Sequence, residues 1–200
     1  MTTMMNFSAL AGQTPLRVIG KAALSLLVVG LAAFVSREGL ALSIMIIFTG
    51  VTGPTIRLVT MKMDGIYDRI IVSPLSKPRF FLGFAGYWVI AVLLPLVPAI
   101  AVVTILNGPV TIIPVILGTV LAIALGTLAG FLSRGLSDAH LAALLISGLL
   151  IPLSIIRTPL AAFLPFTAIS SFPPGPAAFV LIVLLPVVAL VVLALAVSRS

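Results

Sequence analysis

The chain has 200 residues, of which 62% are hydrophobic and only 8% charged, and its formal net charge is +7. A soluble domain normally carries roughly 25% charged residues. Positions 80–133 and 158–198 contain no Asp, Glu, Lys or Arg, which excludes a water-soluble fold because such a fold must present polar groups to solvent. The composition therefore predicts an integral membrane protein.

Six apolar segments predict six membrane-spanning helices. In chain order they are 18–35, 40–59, 80–106, 110–133, 139–156 and 177–197. At about 1.5 Å per residue, each is long enough to cross a hydrocarbon core of about 30 Å. Continuous apolar runs favour helices over barrel strands, which show short alternating segments. We therefore predict an all-α membrane protein with a single transmembrane permease domain over residues 1–200.

The distribution of Lys and Arg predicts the orientation. If the N-terminus is cytoplasmic, nine cations lie on the inner side: Arg17, Lys21, Arg57, Lys62, Arg69, Lys77, Arg79, Arg134 and Arg199. Only Arg37 and Arg157 then lie outside. Because cytoplasmic loops are enriched in Lys and Arg, both termini are predicted to be cytoplasmic. The positive charge follows from this topology and from contact with anionic membrane lipid, and does not indicate nucleic-acid binding.

The first apolar segment has a second interpretation. Arg17 and Lys21 precede it, and "GLA" at 30–32 is a weak cleavage site, as in a signal peptide. The run is long for a signal peptide, and cleavage would leave five spans with a less asymmetric charge distribution. An uncleaved first helix is therefore the preferred interpretation.

Few side chains are suited to catalysis or metal binding. The chain has no cysteine, one histidine and four carboxylates, and none of these carboxylates is predicted at mid-membrane depth, where ion-coupled carriers hold theirs. His140 and Asp138 fit a solvated helix start better than a metal pair. The only Gly-Lys pair, Gly20-Lys21, lacks the rest of a phosphate-binding loop. We therefore predict no catalytic residue, no metal site and no cofactor, with any ATP and Mg²⁺ bound by another chain.

The loop at 60–79, between the second and third spans, holds six of the fifteen charged residues. "MKMDGIYDRIIV" (61–72) is able to form a short helix with Ile66, Ile70 and Met63 on one face, ended by Ser73-Pro74. Such a helix suits docking to a soluble partner, although a loop whose cations only anchor the topology fits equally well.

The same segment raises an enzymatic alternative. "DGIYDR" (64–69) shares Asp, Gly and Arg with the start of the signature of CDP-alcohol phosphatidyltransferases. Those enzymes bind two metal ions through further aspartates, but no carboxylate occurs here between Arg69 and Asp138. Metal-assisted phosphoryl transfer without these carboxylates is disfavoured.

The segment from Gly53-Pro54 through "KMDGIYDRIIVSPLSKPRFFLGF" resembles the membrane subunit of ABC-2 type transporters. The positions that match the family pattern are Gly65, Asp68-Arg69, Ile70-Ile71, Ser73-Pro74-Leu75 and Leu82-Gly83. Six helices, two cytoplasmic ends and a Pro-rich outer segment before the last helix also agree. The family usually has an amphipathic helix before the first span, and we expect it to be reduced or absent here, because residues 1–17 are short, nearly uncharged and interrupted by Pro15.

The resemblance implies a permease that pairs with a second permease copy or paralogue and with ABC ATP-binding subunits. In the family, this loop forms a coupling helix that seats in a groove of the ATP-binding subunit. The implied coupling residues are Asp64, Gly65, Tyr67, Asp68, Arg69, Ser73, Pro74 and Leu75. The first five would face the partner, and the last three would return the chain to the membrane. The implied function is ATP-driven export across the prokaryotic cytoplasmic membrane, with ATPase activity in the partner chain.

One face of the fourth span consists of small residues. Gly118, Ala122, Gly126 and Gly130 recur every four residues. Such a face permits close approach of another helix. The approaching helix belongs either to this chain, which is preferred, or to a second copy at a dimer seam.

The Pro-rich segment at 157–176 contains five prolines and one charge. It is too apolar for an aqueous loop and too interrupted for a span. We expect a short helix at about 160–171 in the outer interface, with Phe163, Phe166 and Phe172 at headgroup depth. In the resembling family this region caps the translocation path, while a purely structural hairpin fits the residues nearly as well.

The predicted lack of charge inside the membrane favours an amphipathic or lipid-like substrate over a small ion. The path would include hydroxyl groups such as those of Ser43, Thr49, Thr104 and Thr127. Three alternatives stay open at this point: a secondary carrier, a non-transport membrane scaffold and a haem-exporter-like permease.

Overall fold

The computed structural model describes residues 15–33, 38–71, 77–108, 111–155, 164–170 and 176–198, which are helical apart from short turns and contain no strand. The helices are α1 (Pro15–Ala33), α2 (Glu38–Met63), α3 (Ile66–Ile71), α4 (Lys77–Asn107), α5 (Ile112–Leu132), α6 (Leu136–Ile155), α7 (Pro165–Ser170) and α8 (Pro176–Ser198). Each predicted span overlaps one of the longer helices in the described ranges. The fold is therefore all-α, as predicted.

Four of these helices are long and apolar enough to cross a membrane: Glu38–Met63, Phe80–Asn107, Ile112–Leu132 and Leu136–Ile155. A shorter apolar stretch, Ile182–Leu193, lies within α8. Large aliphatic side chains project outward from these helices, for example Ile105, which is 82% exposed. Lipid tails are as apolar as these side chains, so the outer surface fits a multi-pass membrane protein.

Helix α2 occupies the centre of the structure. It packs against α1, α4, α5 and α6 and against both short helices, α3 and α7. Ile46, Ile47 and Val51 are fully buried along it. The sequence predicted that the loop begins at residue 60, but α2 continues through Met63. The extra turn forms because Met61 is fully buried in a second, largely aromatic cluster.

The small-residue face of α5 packs inside the chain, mostly on α2. A Cβ atom at Gly126 would lie 2.4 Å from the Val51 carbonyl oxygen, and one at Gly130 would lie 2.8 Å from the Thr55 carbonyl oxygen. On the facing helix, a Cβ at Gly50 would lie 2.7 Å from that of Ala122. The Thr55 hydroxyl lies 2.6 Å from the Val51 carbonyl oxygen and 2.7 Å from that of Gly126, so its single proton is shared between the two helices. Close backbone approach thus joins α2 and α5.

The short helix α7 is packed into the helix bundle. Phe166 is fully buried, and its ring carbons lie 3.1 and 3.2 Å from where a Cβ on Gly118 would be. The Ser43 hydroxyl donates to the Phe166 carbonyl oxygen at 2.9 Å. Phe166 was expected at headgroup depth; its ring is enclosed by the helices of this chain, because α5 has no side chain at Gly118 and leaves room for it. Phe163 and Phe172 lie outside the described residues.

Two of the four hydroxyls expected along a substrate path are used in helix packing. Ser43 and Thr127 are fully buried. Thr127 donates to the Ile123 carbonyl oxygen of its own helix at 2.7 Å, and the single Ser43 proton is shared between the carbonyl oxygens of Gly39 and Phe166. These two hydroxyls therefore stabilise the core instead of facing a path. Thr49 and Thr104 are only half-buried.

Candidate functional site

The candidate site is the turn and short helix between α2 and α4. Gly65 adopts φ +66°, a left-handed conformation that costs a residue with a side chain about 1–2 kcal/mol. The Asp64 amide donates to the Thr60 carbonyl oxygen at 2.9 Å, and the Gly65 amide donates to that of Lys62 at 3.1 Å. These bonds close α2, and Gly65 turns the chain directly into α3. The change of direction between the two helices is therefore decided at one glycine.

Tyr67 attaches α3 to the long helices. Its side chain is only 9% exposed, and its ring meets Phe81 of α4 edge-on with 6.4 Å between centroids. Phe81 in turn meets Phe131 of α5 edge-on at 6.0 Å. Aromatic pairs at such separations contribute about 0.5–1.5 kcal/mol beyond the area they bury. Tyr67 was expected to face a partner, but within this chain it packs inward and anchors α3.

The outward surface of this element is charged. Asp64, Asp68 and Arg69 are all exposed. Ile66, which was expected on the apolar face, is half-buried against the aromatic cluster, whereas Met63 is 61% exposed. The structure thus brings Asp64, Gly65, Asp68 and Arg69 together on one accessible element. Ser73, Pro74 and Leu75 lie outside the described residues.

Lys62 joins the end of α2 to the end of α5. Its Nζ donates to the carbonyl oxygens of Gly130 at 3.0 Å and Ser133 at 3.2 Å, and to that of Phe131. It also lies 5.3 Å from the centroid of the Phe131 ring and 5.9 Å from that of Tyr67. The last carbonyls of a helix lack partners within the helix and carry partial negative charge. One ammonium group therefore caps α5 and contacts the ring that holds α3.

In the sequence, Lys62 is only one of the nine cations expected on the inner side. A lysine at the end of a helix has no sequence signal that identifies a second helix end, 68 residues away, as its partner. The position became evident only from the α2–α5 packing.

These contacts make one mechanical unit of four helices. The turn at Gly65 joins α3 directly to α2, Tyr67 ties it to Phe81 of α4, and Lys62 ties α2 to α5. A force on the charged outer surface of α3 would therefore reach three long helices through packed side chains.

The remaining titratable groups are dispersed. His140 is exposed, and its Nδ1 lies 2.7 Å from the Leu136 carbonyl oxygen. Glu38, at the start of α2, is 8% exposed and accepts a hydrogen bond from the Asn107 side-chain amide at 3.2 Å, which joins the start of α2 to the end of α4. Within the described ranges, no three His, Cys, Asp or Glu residues come close enough to hold a metal ion.

Comparisons with known proteins were made at three levels. No family model, no curated protein and no solved structure matched the chain. Its function is therefore inferred from its own residues and geometry, together with the ABC-2 sequence resemblance.

Proposed function

We propose that this chain is the membrane subunit of an ATP-driven exporter of the ABC-2 type, in which α3 is the coupling helix. The observation that carries the proposal is the form of α3: a six-residue helix after a long apolar one, anchored by Tyr67 and charged on its exposed side. ATP and Mg²⁺ would be bound by a separate ATP-binding subunit. A second permease copy or paralogue would complete the translocation path.

The proposed topology has six spans in the cell membrane, with both termini and α3 cytoplasmic. Besides the four long apolar helices, it assigns a span to α1, of 19 residues, and to α8, of 23 residues. At 1.5 Å per residue these are about 28 and 34 Å long, and both lengths fall within the range of about 17–25 residues used by transmembrane helices. The orientation is supported by nine cations on the inner side against two outside.

The mechanism that follows is mechanical transmission. Closure of the ATP-binding subunits would displace α3 through the surface formed by Asp64, Asp68 and Arg69. Because Tyr67 and Lys62 tie this element to α4 and α5, the displacement would tilt the long helices together, as in a rigid-body transition. The substrate would be amphipathic or lipid-like, since the outward and cavity-lining side chains of the long helices are predominantly apolar.

The first test is co-purification in gentle detergent from the native membrane, with ATPase activity measured in the eluate. We expect the native chain to bring down an ATP-binding subunit. The double change Asp68→Lys with Arg69→Glu reverses both charges and leaves the net charge unchanged. It should lower the associated ATPase activity by about tenfold or more, because misplaced like charges at an interface cost several kcal/mol.

A matched control exists at the turn before α6. Arg134 and Asp138 are also exposed, and Arg134→Glu with Asp138→Lys makes the same pair of reversals elsewhere on the proposed cytoplasmic side. This variant should retain the ATPase. Absence of any ATPase from the native eluate would contradict the exporter assignment, and equal losses in both variants would contradict a role for α3.

The second test concerns orientation. The chain contains no cysteine, so single cysteines are unambiguous labels. With a membrane-impermeant maleimide on intact cells, Arg37→Cys should react, whereas Asp68→Cys and Ser137→Cys should react only after lysis. Labelling of position 68 in intact cells would reverse the topology and remove α3 from the cytoplasm.

A further inference from the structure

A cavity of about 540 Å³ lies between α1, α2 and α4. Ligand sites commonly measure about 300–1,000 Å³, so this cavity is large enough for a bound molecule. Its lining is almost entirely aliphatic and aromatic, including Leu24, Phe48 and Trp88. It runs about 10–14 Å along each helix, judged from the first and last lining residue on each and a rise of 1.5 Å per residue. This is an elongated apolar slot.

One charged side chain lines the slot. Lys21 is exposed on α1 and borders the cavity, and none of the described residues that line it is acidic. The Ser25 hydroxyl donates to the Pro95 carbonyl oxygen at 3.0 Å. Lys21 lies one turn before Ser25, and Ala91, another lining residue, lies one turn before Pro95. Because α1 and α4 both run antiparallel to α2, Lys21 lies toward the end of the slot at which Gly53 and Trp88 are found.

The width of the slot depends on Gly53. A Cβ atom there would lie 2.5 Å from Cζ3 of the Trp88 ring, so the indole occupies the space that a side chain on α2 would take. The ring thereby forms one wall of the cavity. Thr49 offers little polar attraction, because its hydroxyl already donates to the Met45 carbonyl oxygen at 2.6 Å. The Thr52 hydroxyl and the indole N–H of Trp88, which is buried without a hydrogen-bond partner, also line the slot, but among the described lining residues only Lys21 carries a charge.

We propose that this slot binds an anionic glycerophospholipid of the surrounding bilayer. One acyl chain would lie along Leu24, Phe48 and Trp88, and the headgroup phosphate would pair with the Lys21 ammonium group. A long lysine stem packs on apolar surface while its charge reaches toward the headgroups, and a charge-assisted bond to phosphate is the strongest polar contact available there. Charge complementarity selects an anionic lipid over a zwitterionic one. The site requires only that the chain lies in a bilayer and does not rest on ATP-driven transport.

The chain carries its own reporter for this site. Trp88 is its single tryptophan and lines the slot. The full chain is reconstituted in phosphatidylcholine vesicles with increasing mole fractions of a lipid brominated on its chains, either phosphatidylglycerol or phosphatidylcholine. Bromine quenches the fluorescence of Trp88 when the labelled chain lies beside the ring. Brominated phosphatidylglycerol should reach half-maximal quenching at about one fifth of the mole fraction that brominated phosphatidylcholine requires. This is the preference expected from one cation beside an anionic headgroup. Equal quenching by the two lipids would overturn the proposal.

Two variants and a control locate the effect. Lys21→Gln should abolish the preference for the anionic lipid, whereas Arg17→Gln, the same charge change one turn earlier on α1, should retain most of it. Ala91→Phe fills the slot. It should remove the stronger quenching by the anionic lipid and leave the helical circular dichroism unchanged. Retention of the preference in Lys21→Gln would contradict the site, and because Lys21 is exposed this variant decides the question even if Ala91→Phe does not fold.

Discussion

Gly126→Ala is expected to lower the melting temperature of the detergent-solubilised chain by about 6–12 °C. Overpacking commonly costs 1–3 kcal/mol, and about 3 kcal/mol corresponds to this shift in a chain of about 200 residues. The value lies at the upper end because the new methyl group would meet backbone. It would lie 2.4 Å from the Val51 carbonyl oxygen and 2.9 Å from the Val51 Cα. A side chain could change rotamer to make room, but backbone atoms in the middle of a helix cannot. The two helices α2 and α5 must therefore move apart.

The control is Gly148→Ala in α6. Gly148 is exposed, and a Cβ there meets nothing within 4 Å. In a helix interior, alanine is favoured over glycine by roughly 0.5–1 kcal/mol, so this change should leave the melting temperature unchanged or raise it. Thermal unfolding of both variants, followed by circular dichroism, gives the comparison. Equal effects of the two substitutions would contradict the close backbone contact between α2 and α5.

Lys62→Met is expected to cost about 2 kcal/mol, within the range for hydrogen bonds to a charged group. The thioether keeps most of the apolar length of the side chain but removes the ammonium group. The carbonyl oxygens of Gly130, Phe131 and Ser133 then lose a common donor. Tyr67 loses a cation near its ring. Amide hydrogen exchange should therefore accelerate both at the end of α5 and in α3, which are distant in sequence.

Arg134→Met is the matched control, since it removes an exposed cation at the turn that follows α5. It should leave exchange in α3 unchanged. If the proposed transmission is correct, the Lys62→Met chain should still co-purify with the ATP-binding subunit, because the docking surface is unchanged. The ATPase activity of that subunit should then respond less to the membrane subunit than it does with the native chain, because Lys62 connects α2 to α5. Identical exchange profiles for Lys62→Met and Arg134→Met would show that Lys62 does not connect the two helix ends.

Both predictions concern the packing of α2 against α5. Gly126 lies within the α2–α5 crossing, and Lys62 closes the same pair of helices at the end nearest α3. Helix association in a membrane lacks a hydrophobic driving force and depends on close packing and interhelical hydrogen bonds. The shared Thr55 proton and the Lys62 cap are therefore the polar complements of the glycine contact. We expect α2 and α5 to move as one body.

The sequence by itself determined the helical class and the approximate position of every long helix, because a run of apolar residues is a local property that one chain segment carries alone. It also predicted a short helix within 61–72, from the spacing of Ile66 and Ile70 and the stop at Ser73-Pro74, and the structure has one at Ile66–Ile71. The glycine spacing in α5 predicted a close helix contact. The sequence did not indicate which helix packs on this face, because four small residues accept any helix of complementary shape.

Only the tertiary structure decided the contacts between distant residues. It placed Tyr67 inward on Phe81, although the ABC-2 resemblance implied that this side chain faces a partner. It buried Phe166 on Gly118, where the sequence indicated a headgroup anchor. It brought Lys62 to the end of α5 and Lys21 to the cavity beside Trp88. In each case the deciding factor is a contact with a residue elsewhere in the chain, and hydropathy read along the sequence does not report such contacts.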